Sequence, residues 1–145
     1  FDDVPDSEGN TKTLTALDCM TGYANGAFLS HEITSQTVAN AAMANFFIPF
    51  GLPCLIIIDA DGVFAGVFKQ LFEHLLSPVK PVALGNHHAV RNEKFHRYLN
   101  KVEKINTANS GHITKWKQGV LFAIYGWNAA PIDGMDIPRS VGAIG

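Results

Sequence analysis

The sequence predicts one α/β domain: a five-stranded mixed sheet, made of an antiparallel three-stranded meander plus two parallel strands, flanked by helices. Three observations lead there. Residues 11–29 alternate apolar and polar around a Thr21-Gly22 turn, the pattern of a half-exposed hairpin. Leu55-Ile56-Ile57-Ile58 is an unbroken aliphatic run behind a helical stretch, as a strand buried on both faces would be. The C-terminal half then repeats its apolar residues at helical spacing. With 145 residues, 47% of them apolar and 17% charged, the chain is long enough for one hydrophobic core and too apolar to be disordered.

The elements follow in order. Phe1 to Val4 is expected to end an opening strand, and Gly9-Asn10 turns the chain. Thr11 to Asp18 and Tyr23 to Leu29 form the hairpin. Ser35 is the expected cap of a helix from Gln36 to Phe50, with Val38, Ala41, Ala42, Phe46 and Ile48 or Pro49 inward. Gly51-Leu52-Pro53 stops it, and the 54–58 strand completes a strand–helix–strand crossover. Phe64, Val67 or Phe68, Leu71 and Leu75 predict a helix over 63–76, ended by Pro78. Val79 to Leu84 is an edge strand, where Pro81 is tolerated. A long helix over 87–106 buries Phe95, Leu99, Val102 and Ile105. A last helix over 113–128 carries Trp116, Val120, Ile124 and Trp127, more fitting for a core or subunit interface than for base stacking. Residues 129–145 are expected to be irregular.

Composition narrows the function classes. No apolar run approaches the ~20 residues of a membrane span. Cys19 and Cys54 have no CxxC partner or histidine at ligand spacing, so buried free thiols are expected and a structural zinc site is not. Net charge is −2, which argues against general nucleic-acid binding. The distribution is uneven, however: eight of the eleven Lys/Arg and only two of the thirteen Asp/Glu lie between Lys80 and Lys117. That basic segment is what a polyanion would need.

Two places could carry chemistry. Asp59 follows the aliphatic strand directly, and open α/β sheets hold ligands at the carboxyl ends of such strands. Asp59-Ala60-Asp61-Gly62 is equally ordinary turn chemistry, with Asp bonding its own backbone and Gly taking positive φ. On the 87–106 helix, Glu93, Arg97, Asn100, Lys101 and Lys104 fall within about 100° of one another at 3.6 residues per turn. A solvated face with a Glu93–Arg97 ion pair explains that stripe too. His87 and His88 suit capping or phosphate contact better than metal ligation.

Several motifs, in order, resemble the catalytic core of a retroviral or retrotransposon integrase, of the RNase H-like superfamily. Ser7-Glu8-Gly9-Asn10 followed by LTALDCMTGY is similar to that family's first loop and second strand. Gly51-Leu52-Pro53 with IIIDADGVF resembles its GxPxxIxxDxGxxF segment. His87, His88 and Ala89 with Asn92-Glu93-Lys94-Phe95-His96-Arg97 resemble its HxxxNxxxERxxR helix, and Trp127-Asn128, Pro131 and the GMDIPRS tail resemble its C-terminal part. The match spans essentially all of residues 1–145, which it marks as an integrase-like core cut from a longer polyprotein, without the family's N-terminal zinc domain or C-terminal DNA-binding domain.

The resemblance implies a metal triad of two Asp and one Glu. Asp59 fits the second Asp, with Phe64 five residues on, and Glu93 fits the Glu, 34 positions after Asp59, an interval slightly short for the family. Asp3 fits the first, with Asp2 as the alternative. Asp61 stands where the family prefers Gly, which alters the turn or adds a nearby carboxylate. If the opening strand pairs with 54–58, Asp3 and Asp59 lie about 5 Å apart and can share a cation. Clustered carboxylates repel unless a divalent ion neutralises them, and hard oxygen donors select Mg²⁺ or Mn²⁺. The implied activity is two-metal phosphoryl transfer that processes and joins retroelement DNA 3′ ends to target DNA. Arg91, Lys94, Arg97, Asn100, Lys101 and Lys104 would hold DNA phosphates. A homo-oligomer, and residence in the nucleus or a cytoplasmic nucleoprotein particle, are implied as well. Two rivals remain: a catalytically inactive integrase-derived DNA-binding or dimerisation module, and a haloacid-dehalogenase-type phosphatase with Asp59 as nucleophile and Asp61 as acid/base.

Overall fold

The computed structural model describes residues 5, 9–30, 32–59, 61–82, 87–110 and 116–144. Strands β1 (Asn10–Leu17) and β2 (Ala24–Ser30) form the expected antiparallel hairpin, with Leu14 opposite Ala27 and Leu17 opposite Ala24. The turn is built by Asp18, whose carboxylate accepts from the amide and hydroxyl of Thr21 at 2.7 and 2.6 Å. Gly22 completes it at φ 74°, where a side chain would be strained. The alternation read from the sequence separates two cores. Leu14, Ala16, Ala27 and Leu29 face one apolar cluster, and Leu17, Ala24 and Phe28 face a second.

The first cluster lies under α1 (Ser35–Ala42), which buries Val38, Ala39 and Ala42. Its cap is Thr34 rather than Ser35: the Thr34 hydroxyl accepts from the Thr37 amide, and the Thr37 hydroxyl accepts from the Thr34 amide. Ser35 is used elsewhere. Its hydroxyl donates to the Ala65 carbonyl at 2.6 Å and accepts from the Phe68 amide at 2.9 Å. It thereby caps α3 (Val67–His74), whose own N-cap, Gly66, has no side chain to offer. After α1 the chain widens into a π-helical turn over Met43–Phe47 and ends in the short α2 (Ile48–Phe50), with Ile48 and Pro49 exposed rather than inward.

The helix expected over 63–76 is broken. Gly62–Phe64 is a 3-10 turn, and Gly66 sits at φ 60°, ψ −124°, which only glycine adopts readily, so α3 starts afresh at Val67. Phe64, Phe68, Phe72 and Phe47 then stack edge to face at centroid spacings of 5.2, 4.7 and 5.0 Å. Such aromatic pairs add roughly 0.5–1.5 kcal/mol each beyond the area they bury.

Strands β3 (Ile56–Ile58) and β4 (Val79–Pro81) are parallel, and Pro81 occupies the last paired position. Among the described residues the four strands thus make two separate two-stranded ladders, not the five-stranded mixed sheet expected. The opening strand at 1–4, which was to lie against 54–58, falls outside the described residues. Consistent with one described neighbour only, Ile56 to Ile58 are half-buried and Leu55 is exposed, where burial on both faces was expected.

The second cluster joins β2 to α4 (His87–Ser110) and α5 (Trp116–Ala129) around Phe95, Leu99, Trp116, Val120 and Ala123. The two helices approach closely at Gly119, where a Cβ would stand 3.2 Å from the Glu103 Cα. The buried stripe of α4 runs through residues 95, 99 and 103, so Ile105, expected inward, is half-exposed. A sixth helix, α6 (Arg139–Ile144), occupies part of the tail expected to be irregular. Asn128, 7% exposed, pins α5 to the hairpin: its side-chain oxygen accepts from the Ala24 amide at 2.8 Å and its nitrogen donates to the Ala24 carbonyl at 2.7 Å.

Two stability effects follow. Asn128→Ala leaves both Ala24 groups unpaired in the interior, and the urea midpoint should report a loss of about 3 kcal/mol, given about 1–3 kcal/mol per buried unsatisfied group. Ser35→Ala should cost about 1 kcal/mol, the usual size of a lost helix cap, and accelerate hydrogen exchange at the Phe68 amide.

Candidate metal and nucleic-acid site

Asp59 directly follows β3, and its side chain is exposed. Asp61 has a local role: its carboxylate accepts from the Val63 amide at 3.0 Å and caps the Gly62–Phe64 turn. The Asp-x-Asp-Gly stretch therefore divides its labour, with Asp61 on turn chemistry and Asp59 presented to solvent at the strand end.

Glu93 lies on the exposed side of α4, paired with Arg97 one turn on. Both side chains are mostly exposed, at 62% and 73%. An i,i+4 pair so exposed contributes about 0.3–0.5 kcal/mol, too little to hold Glu93 against a competing cation. Lys94, Asn100, Lys101 and Lys104 are exposed along the same helix. Arg91 is not part of that stripe. At about 100° per residue it is rotated roughly 200° from Glu93, and its guanidinium donates to the Cys19 carbonyl at 2.7 Å. Beside the stripe, a groove runs between β1 and α4, with Thr11, Thr13 and Thr15 across from His96 and Asn100. Thr15 and His96 approach within 3.5 Å across it.

Among the described residues no three His, Cys, Asp or Glu side chains gather closely enough to hold a metal. Asp2 and Asp3, the candidates for the first ligand, lie outside the described residues, as do the side chains of His87 and His88. Both cysteines are free, as expected, but exposed rather than buried. Partial desolvation pushes the Cys19 thiol above its ordinary pKa, Asp18 adds to this, and Arg91 opposes it.

Residues that the sequence offered only as core positions or motif members meet at the hairpin turn. Trp127 Nε1 donates to the Gly22 carbonyl at 2.8 Å. Arg139, 7% exposed, lies 4.2 Å over the Trp127 ring and donates to the Trp127 carbonyl at 3.0 Å, with Asp133 at 3.4 Å. Burial lowers the Arg139 pKa from its ordinary value, while Asp133 works in the opposite direction. The Trp127-Asn128 pair was visible in the sequence as part of a motif. Arg139 was visible only as the Arg of the GMDIPRS motif, and nothing in that motif announces its stacking on Trp127 twelve residues earlier. No described helix is long and apolar enough to cross a membrane.

By sequence, the chain matches no family model and no curated protein. By structure it is similar to several solved proteins. The catalytic core domain of BIV integrase aligns over 91% of this chain and 84% of its own, with TM-score 0.68 and 15% identity. The HTLV-2 integrase catalytic core, solved in complex with magnesium in a dimeric form, aligns over 87% and 79%, with TM-score 0.64 and 14% identity. A simian T-cell lymphotropic virus intasome, in complex with PP2A regulatory subunit B56 gamma, aligns over 88% of this chain and 46% of the matched one, with TM-score 0.68 and 15% identity. The chain has the mixed α/β fold of the retroviral integrase catalytic core.

Proposed function

We propose that this chain is the core of a metal-dependent polynucleotidyl transferase that processes and joins retroelement DNA 3′ ends to target DNA. The observation that carries the reading is the exposed carboxylate of Asp59 at the carboxyl end of β3 in a chain of integrase-core fold. Asp59, Glu93 and one of Asp3 or Asp2 would be the ligands. Their oxygens are hard donors suited to Mg²⁺ or Mn²⁺, and the weak surface pair at Glu93 leaves its carboxylate exchangeable. The magnesium in the HTLV-2 core supports the same choice of ion. A bound pair of such ions supplies charge neutralisation at the attacking and leaving oxygens of an in-line displacement.

The chain's own residues supply binding and orientation. Lys94, Arg97, Lys101 and Lys104 present cations along one side of α4, and Asn100 adds an amide, so phosphates flanking the scissile one would be held in register beside Glu93. Arg97 can exchange Glu93 for a phosphate at small cost, because the two side chains are already hydrated. The DNA partners are retroelement ends and target DNA. Self-association is supported by the dimeric and trimeric forms of the HTLV-2 core.

Mg²⁺ or Mn²⁺ should raise the thermal midpoint, by an amount equivalent to about 1.4 kcal/mol at ten times the dissociation constant, and Asp59→Asn should abolish the effect. Calorimetric titration showing no divalent binding would end the active-enzyme reading. A disintegration-type assay with Mn²⁺ then separates enzyme from inactive module: strand joining that Asp59→Asn abolishes supports the former, and metal binding without joining supports the latter. For DNA binding, Lys101→Ala and Lys104→Ala should each reduce the slope of log K against log salt by about 0.9, without changing sequence preference.

A further inference from the structure

Glu93 can serve as a ligand only if α4 holds a fixed rotation and height against the hairpin. Its neighbour two residues earlier is placed to set both. Arg91 stands on the inward side of the helix, close in azimuth to Phe95 and Val102, while Glu93 faces outward. Its Nη1 donates to the Cys19 carbonyl at 2.7 Å. Its Cδ would stand 3.4 Å from a Cβ at Gly22, so the glycine lets the arginine stem lie against the turn. The turn itself is anchored from below, by Trp127 at the Gly22 carbonyl and by Asn128 at both backbone groups of Ala24. The next inward anchor along α4 is Phe95, fully buried one turn further on.

We infer that Arg91 is a positioning residue: by fastening the start of α4 to the Asp18–Tyr23 turn, it fixes the orientation of Glu93 toward the metal site, and it is not a DNA-phosphate contact. This rests on Glu93 being a metal ligand. Residues that orient metal ligands typically alter affinity about 10–100-fold when removed. Glu93 and Arg91 sit on opposite sides of one helix, so the effect passes through helix placement and not through direct contact with the ion or the nucleic acid.

The test compares the 145-residue chain with Arg91→Ala, Arg91→Lys and Glu93→Gln, by calorimetric Mn²⁺ titration, hydrogen exchange over residues 90–96 and DNA-binding salt slope. Arg91→Ala should weaken Mn²⁺ binding about tenfold, raise exchange over 90–96 and leave the salt slope unchanged. Arg91→Lys retains a donor for the Cys19 carbonyl and should recover most of the affinity, which a general loss of stability would not predict. If Glu93→Gln weakens Mn²⁺ binding but Arg91→Ala does not, or if Arg91→Ala lowers the salt slope by about one with metal affinity intact, Arg91 is not a positioning residue. If the wild-type chain takes up no Mn²⁺, the metal reading itself falls, and the positioning role falls with it.

Discussion

The amide of Asn128, bonded at both ends to the backbone of Ala24, is the contact on which the arrangement of this domain depends. A two-point bond to one residue fixes position and rotation together, and in the interior neither partner can turn to water if it fails. Next to it, Trp127 holds the Gly22 carbonyl and Arg139 covers the Trp127 ring. Arg91 reaches the same turn from α4. Two helices, α4 and α5, thus grip one tight turn through side chains bonded to its backbone, Arg139 of α6 braces Trp127 from outside, and Asp18 and Gly22 keep that backbone in shape.

This clasp explains how a hairpin with an apolar cluster on each face presents a polar helix side to solvent. The α1 and α3 layer is closed by packed phenylalanines and by Ser35, which belongs to one helix and caps the other. The α4 and α5 layer is closed by the aromatic cluster around Phe95 and by the close approach at Gly119. With its inward side committed to these contacts, α4 leaves Glu93, Arg97, Asn100, Lys101 and Lys104 exposed. Fold and candidate site are connected through that one helix.

Much of this was legible in the sequence where the signal was local and periodic. The hairpin could be read because alternation must match the two faces of a sheet, and the α4 stripe because Phe95 and Leu99 recur a turn apart. Asp59 could be singled out because an aliphatic run that ends in an acid is conspicuous, although the strand proves half-buried. What escaped depends on distant partners or on backbone conformation. Thr34 and Ser35 are equally good caps in sequence, and only the proximity of α3 decides which one it recruits. Gly66 looks tolerable inside a helical pattern until its φ of 60° breaks the run. Pro138 reads as a breaker, yet its carbonyl accepts from the Val141 and Gly142 amides and so opens α6. Arg91 looked like one more cation of a basic helix, and its bond to a carbonyl 72 residues earlier is invisible to spacing.

The functional account requires acids far apart in the chain to share one cation. Paramagnetic broadening by substoichiometric Mn²⁺ in the amide spectrum of the isotopically labelled chain tests this most directly. The account predicts the strongest loss of signal around Asp59, Glu93 and the adjacent Asp2 and Asp3. Broadening at Asp59 that spares Glu93 and both N-terminal acids, or broadening confined to other acids such as Asp133 and Asp136, would contradict it.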